Sequence, residues 1–289
     1  MNFLQIAILH WYHANLTASF AAGPFPFGLA FDGANMWVAN NNGNSVSRLR
    51  ACDGTPLGTY AVGTSPEGVA FDGACIWVTN FGSDNVTKLR ASDGTTLGTF
   101  ATGTGPEGVA FDGVNIWVAD SSSNDVTKLR ATDGANLGTY AVGNQPRSVA
   151  FDGSHIWVTN RLSNSVTKLR ANDGTSLGTF PAGSFPLGLA FDGAHIWVVN
   201  ANSNSVMKLR AADGHHLGTF NVGQNPRAVA FDGVSIWVAN TADNTVTKLR
   251  AVDGANLGTF PTGGGPQNLA FDGANIWVSN SVGDTISKL

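Results

Sequence analysis

An all-β fold, a single seven-bladed β-propeller, follows from three observations. The tetrapeptide "AFDG" begins at Ala30 and returns every forty residues, at Ala70, Ala110, Ala150, Ala190, Ala230 and Ala270. A Trp follows each of these Phe residues by six positions, from Trp37 through Trp277. No stretch carries apolar residues at the 3.6 spacing of a helix, so the repeat is not a helical one. Self-similarity at this period marks a solenoid or a propeller. Four short apolar runs per forty residues match a blade of four antiparallel strands, so seven copies give seven blades.

Each strand has its own justification, seen here in the second copy. The first run, "GVAF" (Gly68 to Phe71), is small and suits the crowded ring axis. Asp72-Gly73 then turns the chain, since Asp-Gly between β-formers is a strong hairpin signal. In the second run, "CIWVTN", Ile76 and Val78 face one side of the sheet and Trp77 the other, as expected of a blade packed on both faces. Asn80 ends that strand, where its amide can satisfy loop backbone. The third run, "NVTKLRA", carries the basic residues, and Asp93-Gly94 turns into the fourth, "LGTFAT". Blade starts fall near residues 24, 64, 104, 144, 184, 224 and 264, each at a Gly-x-x-Pro connector.

The chain stops at Leu289, inside a third strand, and the absent fourth strand is found at the other end. "NLTASFAAGPFP" (Asn15 to Pro26) aligns with "ANLGTFPTGGGP" (Ala255 to Pro266), matching Phe20 to Phe260. Residues near Thr17–Ala22 are therefore expected to pair with Thr285–Leu289, closing the ring and removing an exposed edge. Residues 15–289 are read as the propeller and 1–14 as an N-terminal extension. Within it "FLQIAIL" is too short to span a bilayer, and no Lys or Arg precedes Arg48 to support a secretion signal. In repeat register Ile6 and Leu9 match Ile286 and Leu289, as in a worn copy of a third strand.

Composition excludes some partners. A net charge of −4 gives no electrostatic reason to expect nucleic acid, and no membrane span is expected. Cys52 and Cys75 lie in turn loops of neighbouring blades at different radii, so a disulfide stays open and the pair does not fix a compartment. A secreted or cell-surface location also stays open. Four histidines, His155, His195, His215 and His216, fall on one face near the fifth blade, but without carboxylates at ligand spacing.

The pattern "PxGVAFDGxxIWVxNxxSNSVTKLRA" resembles the YVTN-type and NHL-type propeller repeats of bacterial and archaeal proteins, over essentially the whole chain after residue 15. The resemblance implies the architecture; such repeats serve surface proteins, binding modules and a few enzymes. The virginiamycin B lyase-like group is a more distant resemblance, implying Mg²⁺ and His/Glu residues at the ring mouth. This sequence departs from it, with no His after the repeat Pro or in the loops after "IWVxN".

Subtracting the repeat isolates a working surface. The thirteen Asp-Gly aspartates and the thirteen "KLR"-type bases cancel. They read as turn formers and as a solvated rim girdle. Ten charges remain: Glu67, Asp84, Glu107, Asp120, Asp125, Asp243, Asp284, Arg147, Arg161 and Arg227. All fall in the fourth-to-first connection or the second-to-third loop, which share one face of a propeller. Phe25, Phe27, Phe81 and Phe185 are expected to be exposed there too, although Asp84 can also be a stand-in for the Asn of sister blades. The position after the repeat Pro supplies the ligand-binding set: Phe27, Glu67, Glu107, Arg147, Leu187, Arg227 and Gln267. The expected function is a non-catalytic, monomeric binding or interaction propeller for a small polar ligand or a peptide or protein partner. Glu67 and Glu107 would touch one side of the ligand and Arg147 and Arg227 the other. No catalytic residue, metal or cofactor is assigned. A lyase or hydrolase at the ring mouth, and a scaffold without a specialised site, are the alternatives.

Overall fold

In the computed structural model, which describes residues 18–289, seven four-stranded antiparallel sheets follow one another in chain order. Each inner strand packs on the next, and the seventh returns to the first, so the sheets form a closed ring. Inner strands begin at Pro26, Pro66, Pro106, Pro146, Pro186, Pro226 and Gly264, within two residues of the expected starts. Helix is confined to three single 3-10 turns among the described residues, at Asn41–Gly43, Phe81–Ser83 and Ala201–Ser203. The seventh sheet takes its outer strand from Ala18–Ala21, whose register pairs Ala18 with Lys288, Phe20 with Ile286 and Ala21 with Thr285. The Phe20 ring centre lies 5.5 Å from that of Trp277, the same separation as between Phe260 and Trp237. The closing strand is thus the one the alignment selects. Thr17, the 1–14 extension and its worn-strand reading lie outside the described residues.

The Asp-Gly turns fold because one carboxylate satisfies several donors. Asp72 accepts from the backbone N–H groups of Ala74 and Cys75 and from Trp77 Nε1 at 2.8 Å. The same Asp-to-indole bond occurs in all seven blades at 2.7–2.8 Å. Burial opposes ionisation of Asp32, but Trp37, Asn35 and backbone donors outweigh it and hold its pKa below the usual value. Trp37 of blade 1 packs beside Ile76 and Val78 of blade 2, so each blade's indole face fills the next blade's aliphatic face. At the axis, a Cβ on Gly68 would sit 2.4 Å from the Glu107 carbonyl oxygen, which explains a glycine there.

The rim bases require a correction. The outer arginines are exposed and pair with the Asp three residues on, as Arg90 does with Asp93 at 3.0 Å. The lysines are not a solvated girdle. Lys88, Lys128, Lys168 and Lys208 are 4–7 % exposed. Lys88 lies 5.0 Å from the centre of the Trp77 ring and donates to the Ala131 carbonyl of blade 3 at 2.6 Å. Lys288 does the same to Ala51 of blade 1, across the closure. These ammonium groups latch neighbouring blades, with the indole face and carbonyls replacing water. Cys52 and Cys75 are both free, the first exposed and the second buried.

Candidate functional site

A register shift follows the repeat Pro in every inner strand, between Pro66 and Val69 in blade 2 and at the matching place elsewhere. Such a bulge re-aims a side chain, and the residue it carries is the one after the Pro. The seven residues Phe27, Glu67, Glu107, Arg147, Leu187, Arg227 and Gln267 all line one axial cavity of about 110 Å³. Six of them, without Gln267, also line an outer mouth of about 270 Å³, together with Phe81, Arg161 and Phe185. They are strand residues, not the connecting-loop residues the spacing implies, although the face is the expected one.

The charges are not divided between two sides. Arg147 reaches from blade 4 across blade 3, its Nη1 donating to Glu67 Oε2 at 2.7 Å and closing on Glu107 Oε2. The Arg147 guanidinium also lies 5.0 Å from the Phe27 ring centre. Burial pushes the Glu67 carboxyl up, with Arg147 opposing the shift. The two glutamates raise the pKa of Arg147 against the opposing effect of its own burial. Both carboxylates are therefore engaged by one arginine, which corrects the opposed-sides arrangement.

The other two cations are arranged differently. Arg161 donates through Nε and Nη2 to Gln145 Oε1, at 3.0 and 2.6 Å, and lies 3.9 Å from Glu107 Oε1. Its guanidinium is 5.4 Å from the centre of the Phe185 ring. Arg227 donates Nη1 to the neutral Gln267 Oε1 at 2.8 Å, and its buried Nε has no partner. Burial, and then the neighbouring Arg147, push the Arg227 pKa down. The cluster holds two carboxylates and three guanidinium groups.

The remaining charges prove to be variants of frame positions. Asp84 Oδ1 accepts from Gly105 N–H at 2.8 Å, as Asn44 does from Ser65, so it is the expected stand-in for Asn. Asp284 Oδ1 accepts from Phe25 N–H and latches blade 7 to blade 1. Asp243 accepts from Gln224 N–H where sister blades use Ser. Asp120 is fully buried at the position of Asn80, opposite Asp125 in the hairpin. Asn80 itself accepts from Gly63 N–H and donates to Asn85 and Thr87, in line with its structural reading. Subtraction kept Asp84, Asp243 and Asp284 because Asp replaces Asn or Ser there without changing the bond made. It kept Asp120 and Asp125 because both fall on one hairpin, where Asp120 does not keep the bonds of Asn80. It also left Arg161 out of the site set, though the break from the Asn, Phe, Ser, Ala and Thr of its sister positions is a signal.

Phe27 corrects the expectation of an exposed aromatic, being only 9 % exposed beneath Arg147. His155 and His195 each rest on their own blade's Asp, Nδ1 to Asp152 at 3.1 Å and to Asp192 at 3.0 Å. No group of three or more His, Cys, Asp or Glu side chains converges among the described residues. No helix among them is long and apolar enough to cross a membrane.

No protein-family model matches the chain, and no curated protein sequence matches it significantly. Solved structures do. Hydrazine synthase of Kuenenia stuttgartiensis superposes with a TM-score of 0.83 at 20 % identity, over 92 % of this chain and 95 % of that one. A streptogramin B lyase structure superposes at 0.82 and 19 %, over 94 % and 96 %. With 1421 solved chains matching, the likeness defines the ring and not its use.

Proposed function

We propose that this protein is a non-catalytic binding propeller whose ligand, a small polar molecule or the end of a peptide, enters the mouth of the ring. One observation carries this reading. At the repeat position after the Pro, which lines the axial cavity in every blade, five different side chains occupy seven blades, on a frame whose "AFDG" turn and Trp repeat in all seven. A rigid scaffold presenting varied polar and apolar groups to one concavity is the usual setting of a ligand site. A lyase or hydrolase would need a free base near its operating pH, and the Glu67 carboxylate is held by Arg147 at 2.7 Å.

A thermal-shift screen of small polar compounds and short peptides tests the reading. It is run on the parent and on a Glu67→Gln/Glu107→Gln/Arg147→Gln variant. Compounds that raise the melting temperature of the parent should lose most of that shift on the variant. Full shifts on both would move the site elsewhere, and no shifts at all on the parent would leave the ring as a scaffold.

A further inference from the structure

The mouth has a surplus of one kind of charge and a surplus of one kind of surface. Glu67 and Glu107 both close on Arg147, and Arg161 lies 3.9 Å from Glu107 Oε1, so two of the three guanidinium groups balance the two carboxylates. Arg227 has no carboxylate within ion-pair distance among the described residues; its Nη1 donates to the neutral Gln267 amide, and its Nε is buried without an acceptor. A guanidinium taken out of water beside a second guanidinium is held at a disadvantage that an anion would relieve. Arginine presents parallel N–H donors that match a carboxylate, so the complement of this group is a planar anion.

The second surplus is aromatic. The residue before the repeat Pro is left-handed in all seven blades, with φ between 49° and 64°. Five blades place Ser65, Gly105, Gln145, Asn225 or Gly265 there, but two place Phe25 and Phe185, at φ 54° and 60°. A bulky side chain is strained in that region, and such strain persists where the side chain serves a site. Phe185 lines the outer mouth under the Arg161 guanidinium, and Phe81, 36 % exposed, lines it as well. Two aromatic rings thus border an opening whose inner end holds the uncompensated arginine.

We infer that the mouth takes a small aromatic carboxylate, its anionic end on Arg227 and its ring beside Phe185 and Phe81, an inference that rests on the binding reading above. Arg147 is then a strut that, together with Arg161, balances the two glutamates, and Arg227 is the residue that selects the ligand's charge. The same chemistry would be offered by a free aryl acid or by the carboxyl end of a peptide finishing in Phe.

Calorimetric titration with phenylacetate on the full chain tests this. Phenylacetate should bind the parent, with phenylacetamide and phenethylamine at least tenfold weaker. Arg227→Gln should weaken phenylacetate at least tenfold. Phe185→Ser should weaken it severalfold while raising the melting temperature, because the left-handed strain is relieved; a merely structural Phe185 would not lower affinity as stability rises. A tripeptide ending in Phe, with its terminus free or amidated, separates the two sources: tighter binding of the free-ended peptide than of phenylacetate assigns the site to peptide ends. Equal binding of phenylacetate by the parent and Arg227→Gln, or preference for the amine, overturns the inference. If phenylacetate fails on the parent while other screened compounds bind and are lost on the triple variant, the carboxylate inference falls and the binding reading stands. If nothing binds, both fall.

Discussion

Positions 157 and 147 lie ten residues apart in one blade and obey opposite rules. At the first, all seven blades carry Trp; at the second, they carry Phe, Glu, Glu, Arg, Leu, Arg and Gln. Trp157 is fully buried, with its indole N–H on Asp152, Lys168 over its face and Phe180 tilted against it at 5.6 Å. Changing it disturbs several partners in two blades. Arg147 sits where the inner strand bulges towards an open cavity, and its neighbours around the ring are themselves variable. The repeated side chain is thus the one packed within the apolar interface between adjacent blades. Variety is concentrated where the bulges point into empty space.

That contrast is most severely tested at the ring closure. Removing residues 1–23 takes away the outer strand of blade 7, uncovers Trp277 by removing Phe20, and leaves Thr285–Lys288 without its partner strand. We expect aggregation, or a fall in the denaturation midpoint beyond that of any single substitution. A truncated protein that stays monomeric and melts like the parent would show that closure contributes little to the frame. Next in size, Trp157→Ala should cost about 3–5 kcal/mol. Arg161→Gln, at the mouth, should stay within about 0.5 kcal/mol of the parent. Urea midpoints on the two variants compare the regions directly, and equal losses would erase the distinction drawn between them.

A third test asks how far the frame tolerates a change of one atom. Asn80 both donates and accepts, to Asn85, Thr87 and Gly63. In blade 3 Asp120 takes this place, its Oδ2 accepting from the Thr127 hydroxyl at 2.6 Å and its buried Oδ1 left without a partner. Burial pushes its pKa up to about 7, Thr127 opposes the shift, and the facing Asp125 adds to it. A carboxyl whose folded pKa is raised favours the folded state while protonated. Stability falls as pH rises from near the ordinary value of 3.8 and reaches its full loss above about 7. Asp120→Asn should therefore stabilise at pH 8 by roughly 2–4 kcal/mol, with the advantage shrinking towards pH 4. Denaturant midpoints that differ equally at both pH values would remove the charge from the explanation.

The sequence made the frame legible because repetition is its own control: a residue present seven times at a hairpin is structural. The strand order, the closing strand and the axial glycines followed from that. Two things did not. The lysines of the "KLR" strands looked solvated because nothing in the order of residues reveals that Lys88 spans to carbonyl groups forty-three positions on. Asp243 and Asp284 looked functional because a conservative exchange at a latch has the same appearance as a departure at a site; only at Asp84 did the sister Asn suggest the frame reading. The mouth residues were legible as a set but not as a pairing, since side-chain reach, not spacing, puts Arg147 on Glu67 and Glu107.

The smallest expected loss within the frame lies at a defect of its own. Asn160 donates to Ser165 and Thr167 and accepts from Gly143 N–H at 3.0 Å. Its counterpart Asn200 is buried, and neither amide atom has a partner; the position seven residues on is Met207 where Asn160 finds Thr167. An amide buried without bonds contributes desolvation cost and little in return, so Asn200→Ala should cost less than Asn160→Ala by about 1–2 kcal/mol. Met207→Thr restores the donor's partner but gives up apolar burial, since Met207 is 5 % exposed within the core between blades 4 and 5. The two terms oppose each other, and we expect a net gain of about 1 kcal/mol. The sharper signature is coupling. In the Met207→Thr background, Asn200→Ala should become as costly as Asn160→Ala, because the amide then has something to lose. Chemical denaturation of the four variants reads both terms. If Asn200→Ala already matches Asn160→Ala in the parent, Asn200 is satisfied in some other way and blade 5 is no weaker than its sisters.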